Sequence, residues 1–128
     1  MSERRLLIVE DDEAFARTLK RSFERRDYDV RVAHGPEGLG ELLAGFHPDF
    51  AVVDLKLGAA SGLGCVQTLS AFDPAMRIVV LTGFASIATA VEAIKLGARH
   101  YLPKPAGTDA IEAAFGREAG DPDAPLTA

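Results

Sequence analysis

An α/β fold with a doubly wound parallel sheet is predicted by two features of the sequence. Short unbroken aliphatic runs recur, and they alternate with apolar stripes of helical period. A third feature, polar residues placed directly after the runs, shows where such a sheet would carry its chemistry. The 128 residues suit one domain with a single core.

Leu6-Leu7-Ile8-Val9, Phe50-Ala51-Val52-Val53 and Ile78-Val79-Val80-Leu81 do not alternate, as expected of strands covered on both faces. Tyr28 to Ala33 sets Asp29 and Arg31 opposite Val30 and Val32, which predicts an edge strand. His100-Tyr101-Leu102 is a short fifth strand. Between them, Phe15, Leu19 and Phe23 mark a first helix with Arg17, Arg21 and Arg25 on another face. Leu39, Leu42, Leu43 and Phe46 mark a second, in which Gly38 and Gly40 each cost about 1 kcal/mol against alanine. Leu63, Val66 and Leu69 predict a third; Ile87, Val91 and Ile94 a fourth, closed by Gly97; Ala110 to Phe115 a short fifth. Strand and helix thus alternate five times, with right-handed crossovers expected. After Phe115 the apolar period stops, so residues 1–117 read as the domain and 118–128 as a flexible tail or the start of a linker.

Composition narrows the function classes. With 48% hydrophobic and 26% charged residues the chain is of ordinary globular type. No apolar run approaches the ~20 residues of a membrane span, and no signal-peptide pattern opens the chain. Cys65 is the sole cysteine, which excludes an internal disulfide and fits a reducing cytoplasm; in its apolar stretch it reads as a small buried hydrophobe. A net charge of −5 gives no overall basic character for nucleic acid. The basic residues of the first helix read as a solvated face. His34, His47 and His100 show no ligand spacing.

The strand ends carry the signal. The first run leads into Glu10-Asp11-Asp12, the third into Asp54, the fourth into Thr82 and the fifth into Lys104. Parallel strands bring these groups to one edge of the sheet. Carboxylates crowded there repel, and a hard cation such as Mg²⁺ would neutralise them while leaving positions open to phosphoryl oxygens. A carboxylate nucleophile, a metal, an ammonium and a hydroxyl are the parts that phosphoryl transfer to an aspartate needs. Taken singly the residues are less telling. Glu10 and Asp11 serve equally well as solvated or capping acids, Asp12 as a helix cap, and Thr82 as a structural threonine. The joint arrangement makes the case.

Over roughly residues 4–115 the sequence resembles the receiver domains of two-component response regulators. The motifs are LLIVEDDEAF, VVDLKLGAASGLG and IVVLTGFASIATAVEAIKLGARHYLPKP, in order and at matching separations. The resemblance implies a CheY-like (βα)5 fold with sheet order 2-1-3-4-5. It implies Asp54 as phosphoacceptor, and Asp11, Glu10, Asp54 and the Lys56 backbone carbonyl at the Mg²⁺. Lys104 is implied at the phosphoryl group, a cis Lys104-Pro105 bond after it, and Thr82 with Tyr101 as the switch pair. The implied partner is a sensor histidine kinase, docking near the first helix (Arg17, Lys20, Arg21) and the loop after strand five. Phosphorylation would alter the surface of helix 4, strand 5 and helix 5, and would favour a homodimer. The stretch from Thr82 to Pro105 is similar to the redox-responding global regulators with a Fis-type helix-turn-helix, so DNA would be reached only through an output domain absent from this chain.

The sequence departs from the family pattern at Gly58, where a proline is usual. This points to a mobile loop over Gly58-Ala59-Ala60-Ser61-Gly62, and Lys56 occupies a position that tunes dephosphorylation. Other readings compete. A stand-alone receiver would act by protein docking. An aspartyl-phosphate phosphatase would place a second carboxylate where Lys56 stands. A flavodoxin-like binder needs a hydroxyl- and glycine-rich loop where Glu10-Asp11-Asp12 would repel phosphate.

Overall fold

The computed structural model describes residues 4–57, 60–83 and 87–116. The predicted flexible tail, and Gly58 and Ala59 of the predicted mobile loop, lie outside them. Five parallel strands, β1 (Arg4–Val9), β2 (Tyr28–Ala33), β3 (Phe50–Asp54), β4 (Arg77–Thr82) and β5 (His100–Pro103), form one sheet in the order β2-β1-β3-β4-β5. The reversal of strand order at β1 and β3 opens a crevice beyond their carboxyl ends. Helices α1 (Glu13–Glu24), α2 (Leu39–Phe46), α3 (Gly62–Phe72), α4 (Ile87–Lys95) and α5 (Thr108–Phe115) connect and follow the strands. The predicted fold class and order hold, and the alternating strand β2 is an edge.

Period-two alternation splits the core into two layers. Leu6, Ile8, Val52, Val79 and Leu81 face α1 and α5, where Phe23, Tyr28, Phe50 and Phe115 stack edge to face or tilted. Phe23 is fully buried, a burial that contributes about 2 kcal/mol. Leu7, Val9, Val53, Ile78 and Val80 face the other way, onto α2, α3 and α4.

Two local readings need correction. In α4 the buried face is Ala90 and Ala93, while Val91 is exposed and Ile94 only half-buried. Small side chains fill that face; Val91 turns outward and Ile94 packs at the margin of the core, while the Ile87 side chain lies outside the described ones. Gly97 closes it as predicted: its φ of +123° lets the Ala98 N–H reach back to the Ala93 carbonyl at 3.0 Å. The sequence also gave no sign of a small antiparallel pair, Lys56–Leu57 with Ala60–Ser61, lying between β3 and α3.

Candidate functional site

The acids that end β1 and β3 share one face. Glu10 continues the alternation of Leu6 and Ile8, and Asp54 that of Val52, so both look towards the α1/α5 layer at the carboxyl end of the sheet. Glu10 is 1% and Asp54 4% exposed, while Asp11 is open to solvent. One carboxylate oxygen from each of Glu10, Asp11 and Asp54 lies within 4.8 Å of the others. These residues, with Asp12, Lys56 and Lys104, line a shallow cleft of about 300 Å³.

Lys104 bridges the two buried carboxylates: its Nζ donates to Asp54 Oδ2 at 2.9 Å and to Glu10 Oε1 at 3.0 Å. Its backbone N–H donates to the Thr82 carbonyl at 2.7 Å, and the bond to Pro105 is cis. The other oxygens are held by backbone. Lys56 N–H donates to Asp54 Oδ1 at 3.0 Å, and Asp12 N–H to Glu10 Oε2 at 3.1 Å. Asp12 also caps α1, accepting from the Phe15 N–H at 3.1 Å, which is worth about 1 kcal/mol.

Three carboxylates, two of them out of water, meet one paired ammonium, that of Lys104, while Lys56 lines the same cleft with no ion pair to them among the described contacts. Burial is the main reason that the Glu10 carboxyl is raised from 4.5 to about 7. Hydrogen bonds from Asp12 and Lys104 oppose this, and neighbouring Asp54 adds to it. Burial disfavours the charged Lys104 ammonium, yet its bonds to Asp54 and Glu10 outweigh that and hold its pKa above the ordinary lysine value. A surplus of oxygen donors around one corner suits a hard divalent cation, which would balance the charge that Lys104 leaves over.

Backbone packing fixes where Asp54 stands. The Leu55 N–H donates to the Leu81 carbonyl at 3.0 Å, and the Gly62 N–H to the Leu55 carbonyl at 2.8 Å. A side chain at Gly62 is excluded, since a Cβ there would stand 2.2 Å from the Asp54 carbonyl oxygen.

Thr82 and Tyr101 form a separate group. Thr82 is buried, and its hydroxyl donates to the Gly83 carbonyl at 3.3 Å rather than to Asp54. Register puts Thr82 opposite Pro103 and Tyr101 opposite Val80, so both side chains belong to the face covered by α3 and α4. Tyr101 is half-buried there, with its ring 5.5 Å from that of His100. On α1, Arg17 and Arg21 are exposed and Lys20 pairs with Glu24 at 2.8 Å.

Sequence reasoning missed two neighbours of the site. Phe15, read only as core, has its ring 4.8 Å from the Lys104 Nζ. His34, given no role, meets the Glu10 carbonyl through Nδ1 at 3.0 Å, which requires the Nδ1-protonated form to donate. Phe15 lies five residues after Glu10, a spacing that could have been checked; nothing in the sequence marks His34. Cys65 is buried, as predicted, and burial pushes its thiol up. No helix among the described residues is long and apolar enough to cross a membrane.

Comparison with known proteins identifies the domain. The family described as response regulator receiver domain matches residues 6–115. The acid tolerance regulatory protein ActR of Sinorhizobium medicae is 42% identical, over 98% of this chain and 67% of its own length. The photosynthetic apparatus regulatory protein RegA of Rhodobacter capsulatus is 43% identical, over 86% of this chain and 60% of its own. The chain therefore spans about two thirds or less of these relatives. Among solved structures, a response regulator from Burkholderia pseudomallei, with a phosphorylated aspartic acid, calcium ion and citrate, superposes with a TM-score of 0.84. It is 47% identical, over 88% of this chain and 66% of that one. The chain belongs to the response regulator receiver domain family of two-component systems.

Proposed function

We propose that this chain is a phosphorylation-controlled receiver in which Asp54 takes a phosphoryl group from the phosphohistidine of a sensor histidine kinase. The observation that carries the reading is the bridged pair: Asp54 and Glu10 buried side by side, joined by Lys104 at 2.9 and 3.0 Å, with Asp11 beside them. In the transfer an Asp54 carboxylate oxygen bonds to phosphorus while the phosphorus–nitrogen bond breaks and its electron pair returns to the imidazole.

Asp11, Glu10, Asp54 and the Lys56 carbonyl would hold Mg²⁺. When bound, it supplies charge neutralisation for the carboxylates and the incoming phosphoryl oxygens. The calcium ion in the phosphorylated Burkholderia pseudomallei structure supports that reading. The Lys104 ammonium then moves its charge from Asp54 to the phosphoryl group. The domain catalyses only its own phosphorylation and dephosphorylation.

Thr82 supplies a hydroxyl that turns from Gly83 to the phosphoryl group, and Tyr101 follows it on the shared α3/α4 face. A phosphoryl group adds close to two negative charges and three acceptors, enough to bias such a two-state element. The altered α4–β5–α5 surface would carry the output by forming a homodimer or by docking on another protein. It would regulate transcription through an output domain outside this chain, in the cytoplasm. The names of relatives such as the alginate biosynthesis transcriptional regulatory protein AlgB of Pseudomonas putida, 34% identical, support that output. The test is intact-mass measurement after incubation with Mg²⁺ and acetyl phosphate or a kinase. Wild type gains one phosphoryl group and Asp54→Asn gains none; equal labelling of both overturns the assignment.

A further inference from the structure

We propose that Phe15 is a positioning residue for the Lys104 ammonium, holding it where it meets the phosphoryl group on Asp54; this rests on the receiver chemistry proposed above. Lysine is a compact charge on a flexible four-carbon stem, and Lys104 keeps 25% of its side chain exposed at a cleft with several acids. An ammonium already confined beside Asp54 loses less freedom when it meets a phosphoryl group there. The Phe15 ring supplies a wall, with Nζ 4.8 Å from its centroid and the electron-rich face turned to the cation.

The ring is itself fixed. It is half-buried against the α1/α5 layer, and the Phe15 N–H is held by the Asp12 cap at 3.1 Å. Asp12 in turn donates its N–H to Glu10 Oε2, so the wall and one of the carboxylates that meet Lys104 are linked through a single residue. The Phe15 ring has no group that could bond Asp54 or ligate a metal, so its effect would pass through Lys104.

This role has a signature that general damage would not produce. Lys104 holds one oxygen each of Glu10 and Asp54, two of the residues that would hold Mg²⁺, but it is needed when a phosphoryl group is present. Loosening the ammonium should therefore leave Mg²⁺ affinity unchanged or raise it, while weakening the phosphoryl state. The experiment uses the full chain as Phe15→Leu, with Phe15→Met as a second space-filling variant and Phe15→Tyr as the conservative one. Mg²⁺ alone is titrated by calorimetry, and beryllofluoride, which mimics the acyl phosphate, is titrated at saturating Mg²⁺. Phe15→Leu and Phe15→Met should lose about fivefold in beryllofluoride affinity with no loss for Mg²⁺, and Phe15→Tyr should match wild type. Unchanged beryllofluoride binding in Leu and Met variants, or parallel loss of both ligands, overturns the inference. A wild type that binds neither ligand overturns the receiver chemistry itself.

Discussion

Opposite ends of the parallel sheet carry two charge clusters with opposite balance. At the amino ends, Arg26 meets Glu112 Oε1 at 2.7 Å and Asp109 at 2.6 Å, while Arg4 lies 3.5 Å from Glu112 and stacks over the Tyr28 ring. Tyr28 donates to Glu112 Oε2 at 2.9 Å, and Arg4 also bonds the Arg26 carbonyl. Two guanidinium groups face two carboxylates. At the carboxyl ends the Lys104 ammonium pairs with Glu10 and Asp54, and Asp11 lies beside them.

The same residue type is driven in opposite directions. Burial raises Glu10 to about 7. Burial also acts upward on Glu112, but the Arg26 and Tyr28 bonds outweigh it and leave its carboxyl below the usual value. Tyr28 is pushed up to about 12, by burial first and then by Glu112. The balanced cluster ties α5 to the sheet. The unbalanced one is held short of a cation, and that shortage is what a metal and phosphoryl site needs.

The largest expected effect is at the unbalanced end. Lys104→Ala leaves two buried carboxylates without their cation and should lose about 3 kcal/mol in urea unfolding at pH 8 without divalent ions. If the loss matched that of an exposed lysine, the cluster would not be charge-strained.

The next test follows pH. Because the Glu10 carboxyl is raised on folding, its protonation contributes stability that is full below about 4.5 and lost as pH rises through about 7. Glu10→Gln should therefore flatten the metal-free stability profile across that window and be the more stable protein at pH 8, by roughly 2 kcal/mol. Glu112 has the reverse sign: its contribution is present above the ordinary carboxylate value and is lost as pH falls through its lowered value. Smaller again, Glu112→Ala should lose about 1.5 kcal/mol in thermal unfolding, since it strands the Tyr28 hydroxyl. Asp109→Ala should lose at most about 0.5 kcal/mol, because that side chain is 90% exposed.

The two regions also differ in how far the sequence disclosed them. Glu10, Asp11, Asp54, Thr82 and Lys104 each follow an apolar run, so strand order alone brings them to one edge. The amino-end cluster joins Arg4 and Arg26 to Glu112, residues 108 and 86 positions apart with no periodic signal between them. Contacts of that kind depend on side-chain reach and rotamer, as does Phe15 against Lys104. Helix α4 misled for a related reason: Val91 and Ile94 look like core, but close packing on the sheet favours Ala90 and Ala93.

Thermal unfolding at pH 8 with and without Mg²⁺ tests the contrast most directly. Mg²⁺ should raise the midpoint of wild type and of Glu112→Ala alike, and leave Asp11→Asn and Asp54→Asn unmoved. A wild type indifferent to Mg²⁺, or an equal rise in all four proteins, would contradict it.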